Sequence, residues 1–224
     1  MQRHGFSLHS ARVQHYSPDP DYLDKETYLH QCLKEAAANP DGCILLFLDE
    51  MGYYRWPEPA HDWAQKAPVT DRKQSKQQPW RLIGALNALT GQVNYLDAYI
   101  VGRAKVIRFY PLIAACYEQA EQIYVVQDNW SIHKHPEVMA ALENLPTIEP
   151  VWLPTYAPWL NPIEKLWRWL REDLLKLHHL ADSFERLQQR VRAFLDQFRH
   201  GSTELLGYVG LLGEGKLAQA ISQI

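Results

Sequence analysis

CILLFLD, residues 43–49, is an apolar run of strand length closed by an acid. GYYRW follows it and reads as a second strand. RLIGALNALTGQVNYLDAYI (81–100) reads as two more, joined at Thr90-Gly91, where the glycine supplies the positive φ that a tight hairpin wants. QIYVVQD (122–128) then repeats the opening pattern of an apolar strand ending in an acid, and TIEPVWLP (147–154) is a further strand. Between and after these lie helical patterns. Residues 103–120 carry Val106, Phe109, Tyr110, Ile113 and Tyr117 at helical spacing, and HPEVMAALENL (135–145) has a proline near its start. The best-defined helix covers 162–177, with Ile163, Leu166, Trp167, Leu170, Leu174 and Leu177 forming one stripe at intervals of three and four. Asn161 is placed to cap it and Pro162 to occupy its first turn. A meander followed by crossover units gives a mixed α/β sheet with helices on its faces.

The flanks are simpler. Residues 21–38 form a helix before the NPDG turn (39–42), and 182–199 form a second amphipathic helix. Residues 1–20 read as a flexible arm, and the tail after Gly201 is glycine-spaced and weakly patterned. From Pro57 to Pro79 the chain is polar and contains TDRKQSKQQ, which is either a DNA contact or a solvated excursion.

The 224 residues suit one large domain, or a domain with appendages, and 46% hydrophobic residues provide a core. A net charge of −3 speaks against a free-standing nucleic-acid binder. It does not speak against a nuclease, whose acidic metal ligands lower the net charge. The three cysteines are scattered and include no CxxC pair, which fits a reducing compartment without structural disulfides. No secretory h-region and no run long enough to span a membrane is present, so the expectation is a cytoplasmic protein without a membrane partner.

Asp49 and Asp128 both close apolar strands. Asp49 either begins a DEMG turn or stands at the rim of the sheet. If its strand and that of Asp128 are parallel neighbours, both carboxylates emerge at one carboxyl edge, where open α/β sheets form ligand sites. Glu164 is the third acid, in the first turn of the best-defined helix. Asn161-x-x-Glu164 can be a capping box, and equally the helix dipole can keep that carboxylate charged for a metal. Three converging carboxylates raise one another's pKa unless a cation joins them. Magnesium takes oxygen ligands, and two such ions about 3.5–4 Å apart serve phosphodiester chemistry. Competing centres are weak: there is neither a G-x-x-x-x-G-K-[ST] phosphate loop nor a G-x-S-x-G elbow, and His133 and His135 alone make a poor zinc site.

LFLDE (46–50), VVQDNWSIHKHPEV (125–138) and LPTYAPWLNPIEKLWRWLR (153–171) resemble the three catalytic blocks of IS630-type transposases of the Tc1/mariner group. The likeness covers about residues 40–180, and the separation of Asp128 from Glu164 is close to the family's usual one. The resemblance implies a ribonuclease H-like fold in which Asp49, Asp128 and Glu164 are the DDE triad and hold two Mg²⁺ or Mn²⁺ ions, with Asp49 bridging. It implies that water cuts a phosphodiester at the element's end and that the freed 3′-hydroxyl attacks target DNA, typically at a TA step. Asn129, His133 and Asn161 match family blocks and become candidates for supporting the triad or touching DNA, with local turn or capping bonds as the alternative. Arg168 and Arg171 share the face of Glu164, either as ion-pair partners or as phosphate binders. Trp130, Trp159 and Trp169 can stack on bases or pack in the core. Glu50 should point away from Asp49, because successive strand residues face opposite ways.

Family members carry an N-terminal helix-turn-helix region that recognises the element's ends, whereas about forty residues precede the first strand here. The implied organisation is an arm and helix over 1–40 as a linker remnant, a catalytic domain over 41–180 and a helical appendage over 181–224. The implied partners are double-stranded DNA, a second copy of the chain during synapsis, and a helix-turn-helix segment encoded upstream. Two other readings stay open: a non-catalytic DNA-binding remnant, and a nuclease that only hydrolyses.

Overall fold

The computed structural model describes residues 16–60, 65–66, 69 and 76–222. Its central strand is β1 (Cys43–Tyr54). On one side β1 pairs antiparallel with β2 (Pro79–Asn87), which pairs antiparallel with β3 (Val93–Ala98). On the other it pairs parallel with β4 (Gln122–Gln127), and β4 pairs parallel with β5 (Ile148–Trp152). The order β3-β2-β1-β4-β5 is a meander joined to two crossovers. Helix α2 (Arg103–Cys116) makes the first crossover and α3 (Pro136–Glu143) the second.

Side chains along β1 alternate between two cores. Cys43, Leu45, Phe47, Met51 and Tyr53 enter a cluster with α1 (Tyr22–Ala38), α4 (Ile163–Leu170) and α5 (Phe184–Asp196). Ile44, Leu46 and Leu48 enter a second cluster with Val106, Phe109 and Ile113 of α2 and Val138 of α3. Burial on both faces explains why residues 43–48 are apolar throughout rather than alternating. Each large side chain so buried contributes about 1.5–3 kcal/mol, which makes β1 the mechanical reference for everything attached to it.

Several local expectations are corrected. Asp49–Gly52 is not a turn: β1 continues to Tyr54, with Asp49 opposite Gly84 and Gly52 opposite Arg81. Gly52 lies beside the Arg81 side chain, whose movable Nη1 end is 1.6 Å from where a Cβ would fall. α2 ends at Cys116, short of residue 120. α4 ends at Leu170 and passes into a π-helical turn, Arg171–Leu175. The tail after Gly201 is helical, in line with the expected helical appendage: α6 (Thr203–Val209) and α7 (Lys216–Ser222) bury Leu205, Leu206, Val209 and Leu217 in the first core. Ser202 caps α6 by accepting the Leu205 N–H at 3.1 Å.

The hairpin at Gly91 forms as expected, with φ 70°. A Cβ there would lie 2.3 Å from the Ser202 carbonyl oxygen, so the glycine also lets the C-terminal segment dock. Residues 1–15 of the arm and TDRKQS (70–75) of the polar loop lie outside the described residues. Among the described residues no helix is long and apolar enough to cross a membrane.

Candidate active site

β1 and β4 run in parallel register from Cys43↔Gln122 to Phe47↔Val126. The chain leaving β4 at Asp128 therefore emerges beside Asp49, at the carboxyl edge of the parallel pair. β5 ends at Trp152 and leads through a loop and a 3₁₀ turn (Pro158–Leu160) to α4, whose first turn holds Glu164. Asp49, Asp128 and Glu164 line one cleft of about 550 Å³, together with Asn129, Trp130, Tyr156 and Asn161.

The carboxylates feel one another. Burial, then the charges of Glu164, Glu50 and Asp128, push the Asp49 carboxyl up to about 8. Glu164 is also shifted up, first by partial desolvation and then by Asp128, while Arg171 and Arg168 pull it the other way. Asp128 is exposed and accepts the Trp130 N–H at 2.9 Å. Hard oxygen donors that raise one another's pKa are a donor set suited to a divalent cation. Among the described residues no three such side chains are already gathered as ligands.

One side chain holds Asp49 in place. Trp167 Nε1 donates to Asp49 Oδ2 at 3.0 Å. The indole reaches across β2 at Gly84, the register partner of Asp49, where a Cβ would fall 2.7 Å from Trp167 Cη2. The sequence stripe had marked Trp167 as a core residue only. A glycine inside a strand was the available signal for a close approach at residue 84.

The model of the DDE superfamily endonuclease family matches residues 44–188, well over half of the chain. The chain belongs to that family. Its curated relatives include the insertion element IS630 uncharacterized 39 kDa protein of Shigella sonnei, 29% identical over 182 residues. That match covers 80% of this chain but 51% of the relative, so this DDE-family chain spans about half the relative's length. Among solved structures it is similar to the catalytic domain of Mos1 mariner transposase, with TM-score 0.57 at 13% identity, covering 94% of this chain and 95% of that one. The mariner Mos1 paired-end complex with Mg gives TM-score 0.64 at 15% identity over 97% of this chain and 65% of that one. At such identities the likeness shows the fold, which is ribonuclease H-like with its mixed sheet flanked by helices.

The DDE-family chain places its other candidates unevenly. Asn161 does not cap α4. Its buried Nδ2 donates to the Leu48 carbonyl at 3.1 Å and ties the start of α4 to β1 beside Asp49. Asn129 Nδ2 donates to the Leu153 carbonyl at 2.6 Å and joins the β4 and β5 loops. His133, 1% exposed, sits with Nε2 3.4 Å from Glu50 Oε1 and 3.7 Å from Asp128 Oδ1. Glu50 thus faces the α2–α3 side, opposite Asp49, as strand parity requires.

Arg171 Nε lies 3.3 Å from Glu58 Oε1, and Arg168 lines an adjoining groove with Glu164. Among the described residues neither arginine forms an ion pair with Glu164. His135 is used as the cap of α3, its Nδ1 accepting the Glu137 N–H at 3.3 Å. Trp130 borders the cleft and meets His133 edge-on, while Trp169 packs against Phe194, Phe198 and Tyr208. Trp159 Nε1 donates to the Tyr22 hydroxyl at 3.2 Å.

Proposed function

We propose that this chain is the catalytic domain of a transposase, cutting DNA at the ends of an insertion element and joining them to a target. The observation that carries the reading is the convergence of Asp49, Asp128 and Glu164, from three separated segments, on one cleft where the Asp49 carboxyl is pushed up to about 8. In this reading the three are the catalytic residues and would hold two Mg²⁺ or Mn²⁺ ions. Such ions, when bound, neutralise the carboxylates, lower the pKa of a nucleophilic water and stabilise a leaving oxygen.

The chain's own groups do the positioning. Trp167 fixes one oxygen of Asp49, leaving the other for the cleft. Asn161 and Asn129 anchor the segments that carry Glu164 and Asp128. Arg168 and Arg171 temper the negative potential at Glu164 and meet the DNA backbone. The reaction is hydrolysis of a phosphodiester, followed by attack of the freed 3′-hydroxyl on target DNA at a TA step.

The partners in this reading are double-stranded DNA, a second copy of the chain in the DNA complex, and a helix-turn-helix segment outside this chain. Residues 41–180 form the catalytic unit, 1–40 a linker-derived arm and helix, and 181–224 a helical appendage. The Mos1 transposase complexes with a transposon end, with Mn and with Mg are consistent with DNA and a divalent cation as ligands.

The test is incubation of the purified chain with supercoiled plasmid and Mn²⁺. Nicking by wild type, and its loss in a folded Asp128→Asn variant, is the expected result. Equal nicking by Asp128→Asn would overturn the assignment.

A further inference from the structure

Tyr156 stands on the rim of the cleft with 78% of its surface exposed. Its backbone is in the left-handed region, φ 55°. For a bulky residue that conformation is unfavourable, and an exposed ring recovers little by burial. Such a combination persists only where the surroundings impose it, and outliers of this kind gather at ligand sites.

The surroundings do impose it. The Thr155 N–H donates to Asp19 Oδ2 at 2.7 Å, and the Thr155 carbonyl accepts from Ser17 Oγ at 2.5 Å. Lys25 Nζ stands 2.8 Å from the same Asp19 oxygen; with the Thr155 amide it holds that carboxyl well below the usual range. Upstream, Asn129 clamps the Leu153 carbonyl. Downstream, Ala157 and Leu160 are buried in the first core. The loop is thus fixed before and after Tyr156, while the Tyr156 ring is left in solvent.

The chemistry beside it is that of a nucleotide site. Carboxylates suited to a cation-bridged phosphate share the cleft with Trp130 and the apolar Leu153, Pro154 and Pro158. The carboxylates and the Tyr156 and Trp130 rings thus line the same cleft.

We propose that Tyr156 is a base-stacking residue, binding an unpaired nucleobase next to the phosphodiester that the three carboxylates address. The site rests on the transposase reading and adds to it a preference for DNA with a base out of the duplex. Aromatic stacking tolerates any base, because each has a π-face. The ring is what matters, not the hydroxyl.

The test uses the full chain with Ca²⁺ and two short DNA duplexes carrying 2-aminopurine, one as an unpaired overhang and one fully paired. Wild type is expected to bind the overhang and quench its fluorescence, and Tyr156→Phe to match it. Tyr156→Ala and Tyr156→Gly are expected to bind about tenfold more weakly or worse, without quenching. Tyr156→Gly should also melt at or above the wild-type temperature, because glycine adopts the left-handed backbone freely; a ring with only a structural role predicts a lower melting temperature. Loss on the overhang alone means the base arrives unpaired, and loss on both means the site draws it from the duplex; both outcomes support the proposal. Undiminished quenching by Tyr156→Ala overturns it. So does a wild type that nicks plasmid without quenching, which leaves the transposase reading standing. A wild type that neither nicks nor binds removes both.

Discussion

The indole N–H of Trp167 donates to Asp49 Oδ2 at 3.0 Å, over the bare backbone of Gly84. This contact joins the aromatic stripe of α4 to the central strand at the one acid that the others crowd most. It gives the helix a task beyond packing: it aims a carboxylate.

Trp167→Phe keeps most of the volume and removes the donor. The loss of one hydrogen bond is expected to cost about 1 kcal/mol in chemical denaturation. Mn²⁺-dependent nicking should fall by roughly 10–100-fold, the usual worth of a group that orients a metal ligand. Unchanged nicking would show that Asp49 is held by other means.

Gly84→Ala places a methyl 2.7 Å from Trp167 Cη2. Overpacking of this kind costs about 1–3 kcal/mol. Because it acts by displacing the indole, its effect on nicking should not add to that of Trp167→Phe in the double variant. Simple additivity would separate the two residues.

The pH dependence has a defined sign. The Asp49 carboxyl lies at about 8 in the folded chain, above its ordinary value of 3.8. The stability linked to it is therefore fully present below the ordinary value and is lost as pH rises through about 8. Without divalent ions, the melting temperature of wild type should fall over that interval more than that of Asp49→Asn. Parallel curves for the two proteins would contradict the crowding of carboxylates at Asp49.

Glu164→Gln separates chemistry from capping. The N–H of Glu164 bonds to the Asn161 carbonyl, and the Asn161 side chain bonds to Leu48, so no reciprocal capping box holds the helix start. The substitution should change stability by no more than about 0.5 kcal/mol and abolish nicking. Marked destabilisation with activity retained would restore the capping role.

Much of this was legible in the sequence because it depends on local pattern. The apolar runs before Asp49 and Asp128 mark strands, the three-four stripe marks α4, and Thr90-Gly91 marks the hairpin. What was misread depends on partners distant in the chain. Gly52 looks like a breaker, yet it pairs with Arg81 of β2 within one long strand. Asn161 has the residue type and place of a cap, but Leu48 competes for its amide. α6 and α7 are short, and their apolar residues become a signal only against α1 and α4. Tyr156 carries no mark of its left-handed backbone, because Ser17 and Asp19 impose it from outside the motif.

The most direct measurement of the central claim is Mn²⁺ binding followed by electron paramagnetic resonance in wild type and in Asp49→Asn, Asp128→Asn and Glu164→Gln. If the three carboxylates hold the cation jointly, each folded variant should bind Mn²⁺ at least about tenfold more weakly, a loss of about 1.4 kcal/mol. Wild-type affinity in any one of the three would contradict it.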